Sequence, residues 1–469
     1  MARIDRLTSQ DHQGVARDGT SLVLPAIALG TALAPLNSTM IAVALPDIQV
    51  AFGVSLTATT WLVAVYLLTM AVGQPICGRL GDMHGRRKMY LIGLGWFALA
   101  SAACALAPSL PWLLAFRAQQ ALAGALCIPN GIALVREAVP RERRGQSMGI
   151  IGMSAGTAAA IGPPLGGFLV HLGGWPAIFL ANVPVIGIAA VLALRALPDS
   201  VPSGHRSGRF DYPGSILLGL TLAGVIMVPV VVQRVGAAGL AALLCVTVIA
   251  GVLFIWRERR AASPVVDLAL FRHRHYAWAC VSVSLSNFLL YTTLLAMPQL
   301  LERVQEYGVQ TTGLVLASFS AFAVFLGPLS GRWADRRGYW WPAVTGAIGL
   351  AAGSVLLAVS IAMAGIGMVV ASLALMGIGL GISGASVQTA AVESVPHEQT
   401  GSASGIFSTF RYLGSVVGST ILAMALAGDL SRGETRPFTL LFAGMAGVAL
   451  LGIFANARVA ERDRTTSRS

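Results

Sequence analysis

Apolar runs of roughly 18 to 25 residues recur from Leu22 to Phe454, each long enough to cross a hydrocarbon layer of about 30 Å as a helix. Inside a bilayer no water meets backbone N–H and C=O groups, so the chain must satisfy them itself, and continuous runs of this length do so as helices. About fourteen are present, over 22–45, 58–76, 89–108, 112–135, 147–170, 178–197, 213–232, 238–256, 276–300, 311–330, 341–362, 366–391, 403–427 and 437–457. With 55% hydrophobic and only 11% charged residues among 469, the composition excludes a soluble globular domain. The expectation is an all-α polytopic membrane protein embedded in a lipid bilayer.

The net charge of +12 would suit a polyanionic partner if it were spread evenly, but it is sided. Assigning the loops in alternation puts Arg86, Arg87, Lys88, Arg136, Arg141, Arg143, Arg144, Arg206, Arg209, Arg257, Arg259, Arg260, Arg272, Arg274, Arg332, Arg336 and Arg337 on one face, with both termini. The other face receives Arg234, Arg303, Arg432 and Arg436. The positive-inside rule then predicts cytoplasmic tails at 1–21 and 458–469, and the basic balance reports orientation, with no nucleic acid as partner. The stretch to Thr20 mixes acids and bases and leads into a full-length run, so no cleaved signal peptide is expected. Cys77, Cys104, Cys127, Cys245 and Cys280 lie in or beside apolar runs without ligand spacing, which predicts small core residues, no disulfide and no metal.

Two loops repeat. Gly78-Arg79-Leu80-Gly81-Asp82-Met83-His84-Gly85 and Gly331-Arg332-Trp333-Ala334-Asp335-Arg336-Arg337-Gly338 share Gly-Arg-x-x-Asp-x-x-Gly at a separation of 253 residues (331 − 78). The segments from Glu137 to Gly145 and from Glu393 to Gly401 share Glu, Val, Pro, Glu and Gly at a separation of 256 (396 − 140). Two echoes at nearly one offset predict a duplicated half. The first loop follows the second run of each half and the second follows the fourth. The organisation is therefore six plus two plus six: pseudo-symmetric six-helix bundles over 22–197 and 276–457, with two additional central helices in 198–275. Paired halves are how alternating-access transporters are built.

Gly78-x-Leu80-x-Asp82-x-x-Gly85-Arg86-Arg87 resembles the signature loop between spans two and three of the major facilitator superfamily. Arg117-Ala118-Gln119-Gln120-Ala121 is similar to its fourth-span motif, with Ala121 where glycine is usual. Gly162-Pro163-Pro164-Leu165-Gly166-Gly167 resembles the fifth-span motif of its antiporters. Phe179-Leu180-Ala181-Asn182-Val183-Pro184, Glu258-Arg259-Arg260 followed by Pro264 and Leu270-Phe271-Arg272, and Phe410-Arg411-Tyr412-Leu413-Gly414 resemble its fourteen-span drug/proton antiporter branch, of the multidrug efflux type linked to antibiotic resistance. The resemblance implies a transporter that acts on a small-molecule substrate and is coupled to protons, and the expectation is a monomer without cofactor. The near absence of lysine beside many arginines points to a GC-rich genome and hence to a bacterial inner membrane.

The residues divide by task. Gly78, Asp82, Gly85, Arg86, Gly331, Asp335 and Gly338 read as a gating loop in duplicate, its glycines allowing tight turns and its aspartates capping a helix or pairing with arginine in one conformation only. Gly162, Pro163, Pro164, Gly166 and Gly167 read as a hinge or leak seal, because prolines remove backbone donors and glycines admit a neighbouring helix. Arg117, about six residues into its run, is costly there unless it faces the bundle interior, and Gln120 lies one turn further on the same face. Arg411 stands similarly deep in the thirteenth run. The resembled branch usually has an aspartate, assigned to proton coupling or cation recognition, where this chain has Asn37. An amide cannot titrate.

No other acid lies deep in a run: Asp47, Glu302 and Glu306 stand at outer edges, and Asp82, Glu137, Asp335 and Glu393 at inner ones. A cavity holding Arg117 and Arg411 without a carboxylate carries positive potential, which points to a neutral or anionic amphipathic substrate. Coupling would then need Asp47, His171, a peripheral Glu or the substrate's own proton. Gln74, Gln119, Asn130, Asn287, Tyr291, Gln388 and Thr389 either line the cavity or bind helices together. The expected task is export, with a facilitator or importer of a metabolite as the alternative. An enzyme would need a Cys/His cluster or a carboxylate pair at one membrane depth, which the sequence lacks. A sensor would carry a signalling domain, and only Asn456 to Ser469 follows the last run.

Overall fold

The computed structural model of the chain describes residues 4–54, 56–198, 211–231, 236–261, 264–307, 309–362, 365–425 and 435–459. Arg206, Arg209, Arg234 and Arg432, four of the arginines used for orientation, lie outside the described residues, as does nearly all of the 458–469 tail. The described residues are predominantly helical, with no strand among them. In order come α1 (Ile4–Phe52), α2 (Leu56–His84), α3 (Arg86–Ala105), α4 (Leu110–Ala138), α5 (Arg144–Gly173), α6 (Ala177–Leu180), α7 (Asn182–Ala196), α8 (Tyr212–Val231) and α9 (Ala237–Glu258). Then follow α10 (Arg274–Pro298), α11 (Val309–Phe325), α12 (Gly327–Arg337), α13 (Trp340–Ala362), α14 (Ile366–Glu393), α15 (Thr400–Ala425) and α16 (Arg436–Val459).

Glycine and proline set the breaks. Gly85 and Gly338 take φ of 95° and 82°, a left-handed backbone that an L side chain resists, so each repeated loop turns sharply at its final glycine. Leu326 separates α11 from α12 with Pro328 in the first turn of α12, where a missing N–H costs nothing. The tenth apolar run is therefore two helices, and so is the sixth, which divides into α6 and α7. Within the expected tail over 1–21, α1 already begins at Ile4.

Eleven helices among the described residues are long and apolar enough to cross a membrane, and twelve when Arg141–Gly162 and Pro164–Gly173, which meet at 49°, are taken as one bent span. The expected fourteen runs all coincide with helices, yet two fall short on this measure. Of α8, a helix over Tyr212–Val231, the stretch Tyr212–Val225 is counted among the shorter apolar helices. Most of the first half of α15 is glycine, serine and threonine, and residues from Thr400 to Thr409 are buried against other helices. Its hydropathy is low because it packs on protein.

In the first half α1 packs on α4, α5 and α7, while α4 packs on α2 and α3. In the last half α13 packs on α14 and α16, α10 on α15 and α16, and α11 on α14. Tyr90, Phe97 and Leu134 are among the buried residues of the first half, and Phe319, Leu357 and Phe442 among those of the last. The halves meet along α2–α15 and α5–α12. The inserted pair, central in the sequence, lies at the edge of that seam: α8 contacts α2 and α15, and α9 exposes Leu244, Val248, Val252 and Ile255. Exposed apolar side chains on this scale suit a lipid surface. Four cysteines are buried as expected, whereas Cys245 sits on the outward face of α9.

Within the last half, a Cβ at Gly346 would come 2.6 Å from the Gly379 carbonyl oxygen, and one at Gly379 would come 2.3 Å from the Leu350 nitrogen. Backbone cannot yield as a flexible side chain does. Gly346→Ala and Gly379→Ala are expected to destabilise the protein by about 1–3 kcal/mol. Gly444→Ala, where nothing lies within 4 Å, is expected to hold or raise stability. Thermal melting of the detergent-solubilised variants checks both.

Candidate functional site

The repeated loops meet each other across the seam. Asp82, near the end of α2, accepts the backbone N–H of Gly401 at 3.0 Å and that of Ser402 at 2.8 Å, with the Ser402 hydroxyl also donating at 2.8 Å. Asp335, near the end of α12, accepts the N–H of Gly145 at 2.8 Å and of Gln146 at 2.9 Å. Each aspartate therefore caps the first turn of a helix in the opposite half, where N–H groups lack intrahelical partners and the helix dipole favours an anion. The two approach turns are alike: Pro140 has φ −54° and ψ 146°, Pro396 has φ −55° and ψ 146°, and each is followed by one 3-10 turn.

Glycine makes the approach possible. A Cβ at Gly78 would lie 2.1 Å from the Gly401 oxygen, and one at Gly331 would lie 2.0 Å from the Gly145 oxygen. One turn along, Gly405 faces the Gln74 oxygen and Gly149 the Gly327 oxygen, each 2.3 Å from a built Cβ. The sequence singled out Gly78 and Gly331 but treated the segments 137–145 and 393–401 only as evidence of repetition. Their offset, shared with the aspartate loops, marked them as corresponding segments and carried no sign of which residues touch.

Around the caps the first half supplies most of the cations. Arg86 pairs with Asp82 at 3.1 Å and Glu137 at 2.7 Å, and donates to the His397 carbonyl at 2.5 Å. Arg136 donates to the Thr400 hydroxyl at 2.6 Å and the Val395 carbonyl at 3.0 Å, while Arg144 pairs with Glu393 at 2.6 Å. The Asp335 junction has no counterpart of Arg86, because Tyr339 follows Gly338 where Arg86 follows Gly85. Asp82 is 3% exposed, whereas Asp335 is only half-buried.

A second polar cluster lies toward the other end of the first half. Arg117 on α4 is fully buried and donates through Nη1 to Asn37 Oδ1 on α1 and to Gln120 Oε1, both at 2.7 Å. Its Nε reaches the Leu62 carbonyl at 3.5 Å, and its guanidinium lies 4.2 Å from the centre of the Tyr66 ring. Gln120 passes the chain of hydrogen bonds to the Ser101 hydroxyl at 2.7 Å. The predicted Asn37, Arg117 and Gln120 are thus one cluster, and Tyr66 and Ser101 are members that sequence periodicity did not distinguish from core. Arg411 stands apart, half-buried, with Gln388 at 3.4 Å and the Phe407 ring at 5.8 Å. Gln119 faces outward, Asn130 ties α4 to the Cys77 carbonyl of α2, and Asp47, His171 and Glu306 are exposed.

The bent stretch of α5 leans on α1. A Cβ at Gly162 would meet Thr39 Oγ1 at 1.8 Å, and one at Gly166 would meet Met40 backbone at 3.1 Å, whereas Gly167 has ordinary room, with Val43 at 3.8 Å. Pro164 is exposed, and the bend falls at Pro163. Of the five residues, Gly162 and Gly166 are those that set the helix separation.

Removing the charge of Asp82 weakens hydrogen bonds worth about 1.5–3 kcal/mol each. Asp82→Asn is expected to slow turnover and to enlarge the long-distance population between spin labels at His84→Cys and Glu398→Cys, measured in a Cys245→Ser background; Asp335→Asn is expected to do less. An unchanged distance distribution and rate would refute the cap as a gate. Burial and the neighbouring Arg86 and Arg136 hold the His397 imidazole below its ordinary range. Protonation therefore favours the parted junction: no penalty exists above about pH 6.5, and closure weakens as pH falls below it. The same label pair is expected to report this shift between about pH 7.5 and about pH 5.5, one unit either side of the ordinary imidazole range, and to lose it in His397→Gln, while equal shifts in both proteins would exclude His397.

Comparison with known proteins agrees with this architecture. The Major Facilitator Superfamily profile matches residues 27–419 and 283–468. The chain is 36% identical to the MFS-type transporter YvkA of Bacillus subtilis over 92% of its length and 95% of that protein. It is 35% identical to the multidrug resistance protein Stp of Mycobacterium tuberculosis, over 87% of this chain and 76% of Stp. With the tetracenomycin C resistance and export protein of Streptomyces glaucescens it shares 32% identity over 86% of its length and 75% of that protein. The crystal structure of the human organic anion transporter MFSD10 superposes with a TM-score of 0.68 at 15% identity, covering 93% of this chain and 99% of MFSD10. The chain belongs to the Major Facilitator Superfamily.

Proposed function

We propose that the protein exports a hydrophobic or amphipathic small molecule, neutral or anionic, by alternating access across the plasma membrane. The observation that carries this reading is the pair of reciprocal caps, Asp82 on α15 and Asp335 on α5. A junction made of contacts between halves exists in only one arrangement of them, so making and breaking it exposes opposite sides in turn. In this reading the bundles are 22–197 and 276–457, with fourteen spans in all, and the arginine-rich loops and both termini face the cytoplasm. The junction is then the inner gate, and the bend at Gly162, Pro163, Pro164, Gly166 and Gly167 is the hinge that accompanies its opening. The chain works as a monomer.

Export as the direction is favoured by the relatives named for resistance and export. The preference for neutral or anionic cargo rests on Arg117, which meets Asn37 and Gln120 but no carboxylate among the described residues, with Arg411 as a second cation. Position 37 carries no titratable group, so proton antiport in this protein runs through another group.

Purified protein in liposomes, offered neutral, anionic and cationic amphiphiles with and without a pH gradient, tests the reading. Flux of neutral or anionic compounds that exceeds flux of permanent cations is expected. Cation flux as fast as neutral flux would overturn the charge preference, and no flux of any class would overturn transport itself.

A further inference from the structure

Among the described residues, the Arg117 cluster has one charge and no countercharge. Guanidinium is ionised under all conditions a cell meets, and this one is fully buried. An ion so placed is ordinarily matched by an opposite charge, because neutral dipoles alone leave much of its desolvation uncompensated. Here every partner is neutral: the amide oxygens of Asn37 and Gln120, the Leu62 carbonyl and the Tyr66 ring.

Two donors of the cluster also lack acceptors. Arg117 Nη2 and Asn37 Nδ2 are both buried, and no hydrogen bond meets either. They belong to the same two groups that are already joined through Nη1 and Oδ1 at 2.7 Å. Covalent geometry fixes Nη2 beside Nη1 and Nδ2 beside Oδ1, so the unpartnered N–H groups flank one contact. A charged donor and a neutral donor, both left unpartnered on two groups already bonded to each other, form a site that an anionic acceptor completes in both charge and hydrogen bonding. An aspartate at position 37 would have offered an acceptor in place of Nδ2 and supplied the charge internally.

We propose that Asn37 and Arg117 together form a monovalent-anion site, with Gln120 and Tyr66 holding the guanidinium in place. The proposal rests on the transport reading above and deepens it: the acidic group of an amphipathic substrate, or a free inorganic anion, takes the charge that the chain does not provide. Since the cluster is enclosed by Tyr66 and Phe179, binding accompanies a movement of α1 or α2 away from α4.

Thermal unfolding of the purified, lipid-reconstituted protein tests it with three probes, sodium octanoate, octanamide and sodium chloride, each against a background of sodium sulfate, whose anion is divalent. Octanoate is expected to bind at least about tenfold more tightly than octanamide, the order expected of hydrogen bonds to a charged group. That advantage is expected to vanish in Asn37→Asp, which fills the site with its own carboxylate. Stabilisation by chloride that competes with octanoate would assign the site to a free anion, and octanoate alone would assign it to the acid group of an amphiphile. Equal affinity of the wild-type protein for octanoate and octanamide with no response to chloride would overturn the proposal, as would an undiminished octanoate preference in Asn37→Asp. The wild-type arms decide even if the variant does not fold. Flux in liposomes without anion preference would remove this site and leave transport standing, whereas absent flux would remove the transport reading.

Discussion

Two carboxylates, each seated on the first turn of a helix from the other half, join the halves at one end of this bundle. The N-terminal amides of a helix have no partners within it, and the dipole concentrates partial positive charge there. Asp82 and Asp335 answer that need for α15 and α5 in a setting where helices approach backbone to backbone, which the Gly78–Gly401 and Gly331–Gly145 contacts require. The tolerance is small in both directions. Any side chain on those glycines pushes the helices apart, and separation strands the aspartate and the amides at once. Junctions with that property are open or closed and have few stable intermediates.

The two copies of this junction are no longer equivalent. Asp82 is almost fully buried and has Arg86 and the Ser402 hydroxyl beside its two amides, whereas half-buried Asp335 has the amides alone. Because Arg86 also binds Glu137 and the His397 carbonyl, loss of the Asp82 contact disturbs three segments together. The cations Arg86, Arg136 and Arg144 come from the first half, and Glu393 comes from the last. Duplication supplied the geometry, and divergence put the stronger part of the lock on one side of the seam.

Much of this was legible in the chain. Repeated loops at offsets of 253 and 256 residues announced the two halves, and the depth of Arg117 announced an inward-facing cation. That the echoes are each other's partners was not legible, because an offset says which residues correspond and nothing about which ones touch. Span number suffered for a related reason. Hydropathy measures contact with lipid, and α15 buries serine, threonine and glycine against α2 and α10, so the helix with the most interhelical work has the weakest apolar signal. Tyr66 escaped notice because one aromatic on an apolar helix looks like core until the guanidinium 4.2 Å from its ring is placed.

The position of the cluster relative to the lock gives it mechanical meaning. Arg117 and Arg136 stand on the same helix, nineteen residues apart, or about 28 Å along its axis. One end of α4 therefore holds the buried charge, and the other reaches Thr400 and Val395 beside the Asp82 cap. Asn37 belongs to α1, which presses Thr39 and Met40 against Gly162 and Gly166 of α5, and α5 begins at the Asp335 cap. Each member of the Arg117–Asn37 pair is thus tied by one rigid helix or one close helix contact to a different cap. A solute that separates or draws together α1 and α4 acts on both junctions through these helices. Substituting aspartate at position 37 would fix that separation with an internal ion pair. An asparagine leaves it adjustable, and at the proposed anion site the charge of a bound solute would become part of what sets it.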